Sequence, residues 1–174
     1  MNNKLQLVLL ACAFAVPVLI ATALQTPWLR YAPEETKNYG AVFSPSPALT
    51  QWLPTDPQAA TQGGRWTLLY LARGECDERC LEQVDLSQRV WQVQGTRRER
   101  LRLLYLASVQ ATPPQLDDHW QVAALAAEIP LPAQARIVLV DPEGYGATWY
   151  PVDFDASGLR KDVRHLLKWS EGGR

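Results

Sequence analysis

Polar and apolar positions divide the 174-residue chain into three stretches of different rhythm. The first, Leu5 to Leu24, reads "LQLVLLACAFAVPVLIATAL" and carries no charge, with Gln6 and Thr22 as its polar breaks. At about 1.5 Å rise per residue, such a run spans a hydrocarbon core of roughly 30 Å. Pro17 is tolerated there more readily than in a soluble helix. Lys4 and the amino terminus place positive charge at the front, which keeps the tip in the cytoplasm and sends the rest across. Residues 1–26 are therefore expected to form one transmembrane anchor. "ATA" at Ala21–Ala23 resembles a signal-peptidase site and "LLAC" at Leu9–Cys12 a lipoprotein cleavage box. The apolar run is longer than a signal peptide needs, and too little apolar sequence precedes Cys12 for a lipoprotein box, so an uncleaved span is favoured over either. All three readings leave the remaining residues outside the cytoplasm.

The second stretch, residues 27–63, loses this rhythm. Pro27, Pro33, Pro45, Pro47, Pro54 and Pro57 deny it a long helix or a central strand. It reads as a tether with one short strand near "AVFS", where Tyr39, Val42 and Phe43 can dock on a neighbouring domain.

Regular periods return in the third stretch, residues 64–174. "RWTLLYLA" is a short, continuous apolar run, the mark of a strand buried on both faces. A helix is predicted from about Asp77 to Gln94, with Cys76, Cys80, Val84 and Trp91 on one side and Leu86, Val90 and Val93 on another. "LRLLYLASV" is a second buried strand, followed by a loop at "TPPQLDD" and an alanine-rich helix over Trp120–Glu128. "ARIVLVDPEGYGATWYPV" reads as a hairpin turning at Asp141–Gly144 and returning through Thr148–Val152. Leu159, Val163, Leu166 and Leu167 stripe a last helix, capped near Ser157 and stopped at Gly172. A βαβ unit followed by a ββα unit makes one mixed α/β sheet covered on both faces, which is the thioredoxin-like arrangement.

Charge and composition narrow the function classes. A net charge of −1 offers no basic surface, so nucleic acid is not an expected partner. The 47% hydrophobic content and seven tryptophans suit a packed core. Trp66, Trp91 and Trp120 are expected inside, with Trp149 and Trp28 available to a partner or a lipid surface. No serine–histidine–aspartate order, phosphate-cradling loop or nucleotide fingerprint occurs.

The chemistry concentrates in "GECDERC". Cys12 lies in the apolar segment, so Cys76 and Cys80 are the thiols of the soluble part. Outside the cytoplasm, a lone close pair either forms a disulfide or is kept reduced for a purpose. The predicted topology puts it at the C-terminal end of a central strand, where reactive groups collect in open α/β sheets.

With its anchor, "NYG" in the tether, "RWTLLYLARGECDERC" and "IVLVDPEG", the chain resembles the Sco/SenC group of membrane-anchored thioredoxin-like proteins. More closely it is similar to the shorter proteobacterial relatives associated with cytochrome oxidase. The resemblance implies a domain facing the periplasm from the inner membrane, and a respiratory oxidase subunit or a redox protein as partner. It also implies a site at Cys76 and Cys80, which in that group bind copper with a distal histidine and assist assembly of a dinuclear copper centre. Here that histidine is missing from its expected place near Ala133, in "LPLPAQARIVLV", and Asp77 and Leu81 replace the group's accompanying prolines.

Two soft thiolates can hold Cu(I), whereas a third ligand raises affinity and admits Cu(II). His119 and His165 read as ordinary surface residues, and "DPEG" as a turn rather than a metal site. Three readings of the pair stand: thiol–disulfide exchange, with Cys76 attacking from a helix N-terminus and Cys80 resolving; Cu(I) handling; and a static disulfide on a scaffold that acts by binding.

Overall fold

The computed structural model describes residue 6 and residues 12–17, 38–53, 64–125 and 129–169. These fall into two units, residues 1–37 and 38–174. In the first, Gln6 and residues 12–17 are helical and exposed, and Cys12 is a free, exposed thiol. Among the described residues no helix is long and apolar enough to cross a membrane. Most of the span expected over Leu5–Leu24 lies outside them.

The second unit is a six-stranded mixed sheet. Its strands are β1 (Ala41–Val42), β2 (Trp66–Ala72), β3 (Leu101–Ser108), β4 (Trp120–Leu125), β5 (Ile137–Val140) and β6 (Gly146–Tyr150). They lie in the order β1-β6-β5-β2-β3-β4. β2 and β3 run parallel, with Tyr70 opposite Tyr105, and β5 is antiparallel to β2. The continuous apolar runs of β2 and β3 need burial on both sides, and both strands receive it at the sheet's centre.

Helices α1 (Glu78–Gln92) and α2 (Ala156–Trp169) pack together on one face, over Leu68, Tyr70, Leu103, Tyr105, Ile137 and Leu139. The stripe of α2 is as the sequence predicts, with Leu159, Val163 and Leu167 buried. Each such side chain contributes about 1.5–3 kcal/mol when fully buried. The α2 cap is Asp155 rather than Ser157: its carboxylate accepts from the backbone N–H groups of Ser157 and Gly158, each at 2.9 Å. The predicted stop at Gly172 lies outside the described residues.

No α-helix covers the other face among the described residues. Leu69, Leu71, Leu104, Leu106, Val138 and Val140 are closed over by residues 43–53, with Leu49 fully buried, and by residues 129–135. A segment whose prolines mark it as a tether thus completes the core.

Three expectations need correction. Trp120–Leu125 is an edge strand parallel to β3, not a helix. Trp120 turns to the helical face while Ala123 and Leu125 turn to the other, a period of two. Pairing along β3 overrides the helix preference of alanine, which is a weak local bias. Residues 126–128 lie outside those described. Second, α1 has one buried side, and Val93 is 62% exposed. Of the two polar residues on that buried side, Ser87 is satisfied locally, donating to the carbonyl of Gln83 at 2.7 Å. Third, the return strand ends at Tyr150, two residues before Val152.

The turn itself is as read. Asp141 accepts the Gly144 N–H at 3.0 Å on its carbonyl and the Tyr145 N–H at 2.8 Å on its carboxylate. Gly144 has φ of 90°, a conformation that glycine adopts without strain.

Candidate functional site: a cysteine pair beside a cleft

Parallel pairing with β3 carries β2 to its end at Ala72, and Arg73-Gly74-Glu75 then turns the chain into α1. Cys76 lies in that turn, one residue ahead of the N-cap. Asp77 is the cap, and its carboxylate accepts the Cys80 N–H at 2.8 Å. Such a cap contributes about 1 kcal/mol to the helix. Cys76 is thus just outside the helix and Cys80 is in its first turn. The structure joins them in a disulfide with Cα atoms 5.2 Å apart, and both side chains are half-buried.

Beneath the disulfide is a tyrosine pair. The Tyr70 and Tyr105 rings stack with centroids 5.6 Å apart, and the Tyr105 hydroxyl lies 3.8 Å from Cys80 Sγ. Tyr70 donates to Gln83 Oε1 at 2.8 Å, and Gln83 in turn donates to the Val152 carbonyl. These residues were not singled out by sequence reasoning. A signal was there: the pentapeptide "LLYLA" occurs at both 68–72 and 103–107, and parallel register superposes its two tyrosines.

Beside the pair opens a cleft of about 290 Å³, with Tyr70, Arg73, Asp77, Cys80, Gln83 and Arg136 among its walls. Arg136 stands immediately ahead of β5. Pro130 and Pro132 precede it with trans peptide bonds, the sole cis bond among the described residues being Ser44–Pro45. Arg79 pairs with Asp153 at the helix side of the cleft. Glu75 accepts from the Thr112 N–H at 3.3 Å.

Burial of the tyrosines has a pH consequence. Desolvation, with Tyr105 adding to it, pushes the Tyr70 phenol from 10.0 up to about 12. Desolvation, and then Glu75, raises Tyr105 as well. A phenol whose folded pKa lies above its unfolded one holds its proton longer in the native state. The stability from burying neutral Tyr70 is whole below pH 10 and is lost as pH climbs through about 12. Denaturant melts are therefore expected to show stability falling across that window. Tyr70→Phe should flatten part of the fall, and a profile in which that variant falls as steeply as the parent would contradict this account.

The other sequence candidates fall elsewhere. His119 is exposed and lies against Trp91, ring centroids 4.6 Å apart; His165 is exposed on α2. Ala133 is exposed ahead of β5. Among the described residues, no group of three or more His, Cys, Asp or Glu side chains could hold a metal ion. Trp91 and Trp120 are buried as expected, Trp66 and Trp149 are partly buried against the core, and Trp28 lies outside the described residues.

Three solved structures are similar in fold. ScoI of Bradyrhizobium japonicum, solved with copper bound, is 14% identical with a TM-score of 0.41, over 60% of this chain and 84% of its own. BsSco, a member of the Sco family of cytochrome c oxidase assembly proteins with an identified disulfide switch, is 13% identical with a TM-score of 0.46, over 77% and 96%. Apo Sco1 of Thermus thermophilus is 14% identical with a TM-score of 0.44, over 79% and 98%. No curated protein matches the chain significantly. The family model described as "Transmembrane-like, thioredoxin-like, C-terminal domain" matches residues 66–170. That match takes in the cysteine pair, both helices of the second unit and five of its six strands. The chain therefore belongs to this transmembrane-like, thioredoxin-like family.

Proposed function

We propose that the protein is a membrane-tethered, extracytoplasmic thiol–disulfide exchange protein that serves assembly of a respiratory oxidase, with Cys76 and Cys80 as its reacting groups. The observation that carries this reading is the Cys76–Cys80 disulfide, half-buried at the rim of an open cleft where β2 hands over to α1. A bridge closing so short a loop stabilises a fold by only about 2 kcal/mol, which makes it a poor staple.

The exchange is balanced by a partner dithiol. A partner thiolate attacks Cys76, forms a mixed disulfide and displaces Cys80 as thiolate. The partner's second thiol then displaces Cys76, so the partner leaves oxidised, and two electrons and two protons remain on the cysteines. Two features favour Cys80 as the leaving sulfur: the Tyr105 hydroxyl at 3.8 Å can donate to it, and it lies in the first turn of α1, where the helix dipole stabilises negative charge. Run backwards, Cys76 is the attacking thiol and Cys80 the resolving one.

Cu(I) as cargo is the second reading. Reduced, the pair offers two adjacent soft thiolates, a set that suits Cu(I) and leaves Cu(II) without the third donor it favours. The absence of the group's histidine near Ala133 is the reason exchange is preferred. The tether and the periplasmic placement rest on the uncharged run Leu5–Leu24 behind Lys4. The oxidase as partner rests on the sequence resemblance.

Reduction potential and Cu(I) affinity of the full-length protein in detergent test the proposal. A potential above about −300 mV is expected, in the range of exchangeable disulfides. A lower potential without Cu(I) binding would leave a scaffold with an inert bridge.

A further inference from the structure

On the sheet side of the cleft, opposite the paired Arg79, lie two more arginines. Arg73 follows the last residue of β2, and Arg136 is held against that end of the strand because its carbonyl accepts the Leu71 N–H at 2.7 Å. Among the described residues their guanidinium groups hydrogen-bond to carbonyls only. Arg73 Nη2 donates to Pro132 at 3.0 Å and to Leu131 at 3.5 Å, and Arg136 Nη1 donates to Ala133 and Ala135, both at 3.2 Å. Among the described residues neither is paired with a carboxylate, and each uses one terminal nitrogen of a group that carries five N–H donors.

The acids of the cleft are engaged elsewhere, Glu75 with Thr112 and Asp77 with Cys80. Burial and the neighbouring Arg136 both disfavour the charged form of Arg73, a cost that an anion between the two would relieve. At about 30 Å³ per water, a cleft of about 290 Å³ has room for a carboxylate side chain.

We propose that Arg73 and Arg136 form a carboxylate-binding subsite, which selects a partner segment carrying an acidic residue beside its cysteine pair. Planar guanidinium groups match a carboxylate's two oxygens, so the subsite would orient the partner's thiols toward Cys76 as well as attract them. The inference rests on the exchange reading above.

Dithiol peptides identical except for one aspartate, asparagine or lysine beside the cysteines provide the test, with the oxidised full-length protein as acceptor. The aspartate peptide is expected to exchange about tenfold faster than the asparagine peptide at low salt. That ratio should fall to about one in the R73Q/R136Q variant, and R73E/R136E should prefer lysine. A parallel binding measurement uses the same peptides with serine for cysteine. Equal exchange of the aspartate and asparagine peptides, or an advantage that survives R73Q/R136Q, overturns the subsite. Binding that prefers aspartate without exchange of any peptide overturns the exchange reading instead and leaves the subsite standing.

Discussion

Cys76→Ser is expected to reduce oxidation of a dithiol partner by at least about 10³-fold, because serine forms no disulfide and the electron acceptor is gone. The same change should lower unfolding free energy by only about 2 kcal/mol, the worth of a short closed loop. The contrast between the two effects carries the functional reading. A scaffold stapled by its bridge would show the stability loss with no functional one. Partner oxidation by stopped-flow and denaturant unfolding on the same preparations measure both. In cells, full oxidase activity in a strain whose protein has serine for both Cys76 and Cys80 would eliminate exchange and copper handling together.

The second large effect lies far from the sulfurs. Asp162 on α2 is 3% exposed, and its carboxylate accepts from the backbone N–H groups of Tyr39 and Gly40 at 2.8 and 3.0 Å. It also accepts from the Tyr150 hydroxyl at 2.5 Å. Burial, and then Asp162 itself, pushes the Tyr150 phenol well above its ordinary range, so it remains a donor. A Cβ on Gly40 would come within 2.6 Å of the Tyr150 ring, and one on Gly158 within 2.7 Å of Tyr39 Cβ, so both glycines permit the close approach. Asp162→Ala strands three donors, each costing about 1–3 kcal/mol, for an expected total of at least about 3 kcal/mol. The melting temperature should fall by about 10 °C or more. Protease cleavage near Tyr39 should appear before global unfolding, because the segment from residue 38 loses its clamp. Asp162→Asn, which keeps one acceptor oxygen, should lose less. A loss below about 1 kcal/mol in the alanine variant would mean that the clamp does not hold the segment.

What was legible in the sequence was whatever depends on short-range pattern. β2, α1, β3, the hairpin and α2 each bury a repeating face, so their apolar periods mark them within a few residues. The cysteine pair was legible for a related reason, since four positions on one chain segment meet wherever a helix starts between them. The turn at Asp141–Gly144 follows from the conformations that proline and glycine allow.

β4 escaped because alanine's helix preference is local and small, whereas the ladder to β3 comes from residues about seventeen positions earlier. β1 escaped its full role because two residues of strand leave no period to read, and its position depends on a carboxylate more than a hundred residues away. Around the sulfurs, Tyr105, Gln83, Arg73 and Arg136 have ordinary individual signals. They become a site only when strand register sets Tyr70 against Tyr105 and brings the head of β5 to the end of β2. The sequence by itself determined which atoms could exchange electrons and which segments could bury a face. Only the tertiary structure decided their surroundings, because hydrogen bonds and charges act over a few ångströms of space, whatever the distance along the chain.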